Sequence, residues 1–154
     1  MIGNIIYVIG NRKIFKLIVL IVFMTTIEEH SKILKEFVDD INEKINANLL
    51  YERQKIIGFS ASEASANLFA ILFHRLNLIE PGFNVNHRDF SSLKSAEEKY
   101  PFDFEGKSEI FRFLVNQENF RNKLCYGKDK ELKIVKEAIS NFFELKNIIL
   151  EEGH

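Results

Sequence analysis

Ser60-Ala-Ser-Glu-Ala-Ser-Ala-Asn-Leu-Phe-Ala-Ile-Leu-Phe-His-Arg75 is the stretch on which the fold turns. Ser60 followed three residues later by Glu63 has the form of a capping box, in which side chains satisfy the orphan amides of a first helical turn. Behind it Ala61, Ala64, Ser65 and Ala66 offer little bulk, so a neighbouring backbone can come close, while Leu68, Ile71, Leu72 and Phe73 fill space further along. A helix this apolar on every side belongs in the middle of other helices.

The rest of the chain supplies them. Upstream, Ile27, Ile33, Leu34, Phe37, Val38, Ile41, Ile45 and Leu49 recur every three or four residues between Lys, Glu and Asp, which is the pattern of an amphipathic helix. Thr25 with Glu28 and Thr26 with Glu29 form two overlapping capping boxes that predict its start. Running on through Tyr51 to Ile57, it should stop at Gly58. Downstream, Pro81-Gly82 ends the central segment, and a short helix is expected from about Ser91 to Lys99, before Pro101. A third long helix from about Ser108 to Cys125 carries Ile110, Phe113, Leu114, Gln117, Phe120, Arg121 and Leu124 on one face. Gly127 closes it, and Asp129 is placed to cap a last helix with Leu132, Val135, Ile139, Phe142, Leu145 and Ile149 at coiled-coil-like spacing. The expected fold is all-α: a four-helix bundle, up-and-down, with a short extra helix between the second and third long helices.

Composition agrees. A chain of 154 residues is long enough for one domain with a real core. Fifteen Phe and no Trp mean that Phe and Ile must build that core, while two Pro and seven Gly argue against a turn-rich β-sandwich. The single cysteine, Cys125, excludes an intramolecular disulfide and points to a reducing cytoplasm. No Cys/His cluster has the spacing of a structural zinc site, so neither metal nor other cofactor is expected.

The N-terminus differs from the rest. Residues 14 to 24 form the most apolar run, with Arg12 and Lys13 before it and Lys16 inside it, and no acid in the stretch. Without residues 1 to 23 the chain carries 18 basic against 22 acidic side chains, so it would not draw phosphate backbones over long range, and nucleic acid would need a local basic pocket. The run is shorter than the roughly 20 apolar residues of a spanning helix. Three readings follow: a mis-assigned start with the true initiator at Met24, a membrane anchor, or an element packed on the domain. The change of character at Met24 favours the first, which divides the chain into an extension, 1–23, and a helical domain, 24–154. A membrane enters only if the extension is a genuine anchor.

Glycine-rich phosphate loops, the H-E-x-x-H pair and the G-x-S-x-G elbow are all missing, which sets aside the enzyme classes that depend on them. His30, near a helix start, and His154, at the terminus, read as solvated residues, and Cys125 as a packed thiol. More telling is Arg121-Asn122-Lys-Leu-Cys-Tyr126-Gly127, because Gln117 and Arg121 put polar groups on a core-facing stripe.

The order long helix, Ala-rich helix, His87-Arg-Asp-Phe-Ser-Ser-Leu connection, short helix to Pro101, and helix ending in Arg121-Asn122-Lys-Leu-Cys-Tyr126 resembles the HEPN superfamily over roughly residues 26 to 150. That resemblance implies a dimeric four-helix bundle associated with nucleotides or RNA. Many such domains are metal-independent RNases or toxins paired with a nucleotidyltransferase-type antitoxin. Their motif is Arg, a polar residue such as Asn, and a His four to six residues further on. Arg121 and Asn122 match its first part, but where the His is expected the chain has Tyr126, Gly127 and Lys128.

The chemistry follows from that departure. RNA cleavage needs a group that moves the 2′-hydroxyl proton and another that steadies phosphorane charge. Arg121 suits the second role. Tyr126 is the remaining candidate for the first, and a phenol with an ordinary pKa of about 10 is a poor base at neutral pH. The expected site is therefore Arg121 and Tyr126 as the catalytic pair, if catalysis occurs, and Arg121, Asn122, Tyr126, His74 and Arg75 as ligand-binding residues. His74 and His87 are the histidines that folding or dimerisation would have to add. Each residue also has a plain structural reading: Arg121 pairs with Glu118 or Glu63, Asn122 bonds the backbone near the helix end, and His74 and Arg75 decorate a helix terminus. The reading that results is a homodimeric HEPN-like binding or regulatory module for a nucleotide or RNA phosphate. An RNase toxin with an unconventional acid/base, and a bundle that only holds a partner protein, are its alternatives.

Overall fold

The computed structural model describes residues 12–151, and among them there are five α-helices, one 3-10 turn and no strand. The helices are α1 (Arg12–Asn46), α2 (Gln54–Arg75), α3 (Leu93–Lys99), α4 (Lys107–Cys125) and α5 (Leu132–Glu151), with the 3-10 turn His87–Phe90 before α3. Residues 1 to 11 and His154, on which part of the expected extension and one solvated histidine fall, lie outside the described residues.

Sixteen of the 22 residues of α2 are buried, which makes it the central element, as its composition predicts. It packs against α1, α4 and α5, and α4 packs against α5. By length and hydropathy α2 could cross a membrane, yet its apolar surface is spent on its own neighbours. The Phe-rich core gathers around Phe69, whose ring centroid lies 4.1 Å from Phe73, 5.1 Å from Tyr100, 5.2 Å from Phe90 and 5.9 Å from Phe111. Mostly edge-to-face contacts of this kind add to the area term that buries them.

Several boundaries depart from the sequence reading. The first helix does not start at Thr25 or Thr26; it runs unbroken from Arg12, because no Gly or Pro interrupts residues 12 to 46. Nor does it reach Gly58. It ends at Asn46 in a Schellman motif: Asn48 takes φ 55°, its N–H donates to Ile45 O at 3.1 Å, and Leu49 N–H donates to Lys44 O at 2.9 Å. Asn77 repeats the device after α2, with φ 55° and Leu78 N–H donating to Phe73 O at 2.9 Å. Asn tolerates the left-handed region better than other non-Gly residues, since its side chain bonds locally.

α2 opens at Gln54, six residues before the expected cap, so Ser60 is interior and donates instead to Asp40 Oδ2 of α1 at 2.9 Å. Gly58 is interior as well. A Cβ there would lie 2.8 Å from Leu124 Cβ, so this glycine sets how closely α2 and α4 approach. Asp129 does not cap α5, which begins at Leu132; it pairs with Lys55 at 2.9 Å.

His30 is not a free surface histidine. It bonds Asn67 Oδ1 through Nδ1 at 2.8 Å, and its ring stacks 5.5 Å from that of His74, which is fully buried. Burial, and then the neighbouring His30, hold the His74 pKa below its ordinary value.

The connection between α2 and α4 positions the candidate site. Asn86 caps the 3-10 turn by accepting from Arg88 N–H at 2.9 Å, while Asp89 Oδ2 accepts from Asn86 N–H at 3.1 Å. The fully buried Tyr100 donates its hydroxyl to the same Asp89 oxygen at 2.7 Å. Burial and this carboxylate push the phenol pKa far up, so it stays protonated and serves as a latch. Ser92 then caps α3 by accepting from Ser95 N–H at 3.0 Å. With Phe90 and Tyr100 anchored in the core, His87 is held against the flank of α4.

Candidate functional site

α4 turns Leu114, Gln117, Glu118, Arg121 and Leu124 toward its neighbours at helical spacing. α2 meets part of that face with Gly58, Phe59, Ser62, Glu63 and Ser65, residues mostly small enough to admit α4's long polar side chains.

Arg121 is the centre of the seam. Its Nη1 donates to Glu63 Oε1 at 3.0 Å, and its guanidinium carbon stands 5.0 Å from the centroid of Phe59. The side chain is 11% exposed, against 29% for Glu63 and 43% for Phe59 as a residue. Of the two acids that could neutralise it, the fold uses Glu63. The engagement is through one nitrogen only, and the buried Nε of Arg121 has no hydrogen-bond partner.

One turn earlier, Glu118 accepts from His87 Nδ1 at 2.8 Å, with side-chain exposures of 7% and 20%. Gln117 beside it is 1% exposed. Its Oε1 accepts from Asn141 Nδ2 of α5 at 2.8 Å, while its Nε2 has no partner. A cavity of about 10 Å3, lined among others by Ser62, His87, Gln117 and Glu118, lies between these groups. That volume is on the order of one water, which a polar lining can hold.

The expected site residues are thus divided. Arg121 lies in the seam. Asn122, the next residue on the helix, is exposed. Tyr126 is 65% exposed at the C-cap of α4 and makes no hydrogen bond to Arg121 among the described residues. His74 and Arg75 are eleven and twelve residues beyond Glu63 on α2, about 17 to 18 Å along the axis at roughly 1.5 Å per residue, so the fold does not bring them to Arg121. His87 is the histidine delivered to this side of α4. Sequence separation hid that pairing; the available signal was the Glu118–Arg121 spacing, which puts both on one face.

Cys125 is a packed thiol. Its Sγ donates to Lys55 O at 3.3 Å, and burial raises its pKa; the positive charges of Arg121 and Lys55 oppose the rise and Glu118 adds to it. Among the described residues no three His, Cys, Asp or Glu converge as a metal site. No family model matches the chain, and neither curated proteins nor solved structures give a match.

Proposed function

We propose that this chain is a HEPN-like four-helix bundle, homodimeric, that binds a nucleotide or RNA through the α2–α4 seam and acts as a binding or regulatory module without robust catalysis. The observation that supports it is Arg121, whose mostly buried guanidinium engages Glu63 through one nitrogen while its Nε has no hydrogen-bond partner. Native folds leave few such groups unpaired. Nε is a donor, so a guest that completes it must present an acceptor, as phosphate oxygens and base carbonyls do. Phe59, partly exposed beside the guanidinium, offers a ring face to a base.

The Arg121–Glu63 pair sets how binding proceeds. Glu63 is the more exposed partner, so an incoming phosphate takes its place and the carboxylate turns to water. Titration of labelled single-stranded RNA and of ATP against wild type and Arg121→Ala tests this reading. Wild type should bind one of them and the variant should lose that binding; identical isotherms would remove the basis of the proposal.

The His87–Glu118 pair favours a second reading, an endoribonuclease in which an imidazole oriented by a carboxylate supplies the proton transfer that Tyr126 cannot. Cleavage of RNA in chelator-containing buffer, abolished by His87→Ala while RNA binding persists, would establish it. No cleavage by the wild-type chain would dismiss it.

A further inference from the structure

Residues 12 to 21, the first ten of α1, are all exposed, and seven of them are large and apolar. Ile14 is 37% exposed, Phe15 50%, Leu17 55%, Ile18 42%, Val19 47%, Leu20 53% and Ile21 54%. Leu17 to Ile21 are five consecutive residues, and at about 100° per residue they cover the full circumference of the helix. This is no stripe of the kind that docks against one partner helix. Helices that are apolar all round need an apolar surround.

The position agrees. His30 stacks on His74, which lies in the last turn of α2, so the part of α1 before it projects past the end of α2. There the turn at Asn77 borders an apolar cleft of about 340 Å3 formed with Phe15, Lys16, Val19 and Leu20.

Charge identifies the surround. Arg12, Lys13 and Lys16 are the charged residues of the first 27, and the first acids are Glu28 and Glu29, where α1 reaches the body of the fold. A protein cavity would have to enclose the helix on all sides and also match a helix end whose charged residues are all basic. A lipid leaflet with anionic headgroups does both: hydrocarbon takes the apolar rings and branches, and the cations reach headgroups at the interface.

We propose that the N-terminal half of α1 seats the protein in a lipid bilayer carrying anionic headgroups. The seam lies on the first half of α2, from Gly58 to Ser65, whereas the exposed part of α1 lies beyond the last turn of α2, so the proposal stands independently of nucleotide or RNA binding.

Co-flotation of the full chain with vesicles tests it, using phosphatidylcholine alone and phosphatidylcholine with one part in three phosphatidylglycerol. Wild type should float with the anionic vesicles and much less with the neutral ones. Leu17→Glu combined with Leu20→Glu should stay at the bottom of the gradient, with unchanged helical circular dichroism because both positions are exposed. Arg121→Ala should float like wild type. Wild type remaining at the bottom, as a monomer or as an oligomer of its own copies, would overturn the proposal. Equal flotation of wild type and the double variant, or indifference to lipid charge, would do the same.

Discussion

Arg121→Ala is expected to weaken RNA or nucleotide binding about 10- to 100-fold, the span that follows from roughly 1.5–3 kcal/mol for a charge-assisted hydrogen bond. Glu63→Gln should move affinity the other way. The amide keeps the shape and an acceptor oxygen for Arg121 Nη1, but it removes the negative charge that competes with phosphate. Affinity should rise severalfold while stability falls by about 1–3 kcal/mol, because a guanidinium with 11% of its side chain exposed loses its counter-ion. Opposite signs for binding and stability are the signature. Were the ion pair only an internal brace, Glu63→Gln would lower the denaturation midpoint and leave the binding isotherm where it was.

Gly58→Val is expected to destabilise the fold by about 1–3 kcal/mol, the usual cost of forcing bulk into a filled contact. At this position the new Cβ meets Leu124 Cβ at 2.8 Å and Cys125 Sγ at 3.3 Å. Leu124 Cβ sits next to the α4 backbone and cannot swing aside, so the two helices must part. Gly58→Ala should cost less, since Ala gains up to about 1 kcal/mol in helix propensity against the same clash. Thermal denaturation measures both, and a stabilised Gly58→Ala would show that α2 and α4 have slack. Because the Arg121–Glu63 pair spans this contact, the valine variant should also weaken binding.

The all-helical class was legible because it rests on patterns that tertiary packing amplifies. The Ala/Ser half of α2 followed by Leu68, Ile71, Leu72 and Phe73 needs neighbours on all sides, and it has them. Boundaries were less legible, since capping signals are local and the deciding residues were not the conspicuous ones. Asn48 and Asn77, not Gly58, take the left-handed conformation that ends a helix, and the Thr25 and Thr26 boxes lost to continuous helix propensity across residues 12 to 46.

The side chains of the α2–α4 seam were legible in part for the same reason. Arg121 and Gln117 stood out as polar groups on a buried stripe, and Glu63 could be named as one of two possible counter-ions. That the fold would choose Glu63 depends on how α2 is rotated against α4, which periodicity alone does not determine. His87 was harder still: it lies 31 residues from Glu118, on a connection whose path is set by Tyr100 and Asp89.

That latched connection has a bearing on how the molecule breathes. The stretch from Asn86 to Tyr100 belongs to none of the long helices and is tied down by one phenol, one carboxylate and the buried Phe90 and Ala96. Its amides are expected to exchange with solvent ahead of those of α2 and α4, a difference that hydrogen exchange would measure. An opening there would carry His87 away from Glu118 and uncover the flank of α4, so entry to the small polar cavity would follow the release of Tyr100 from the core.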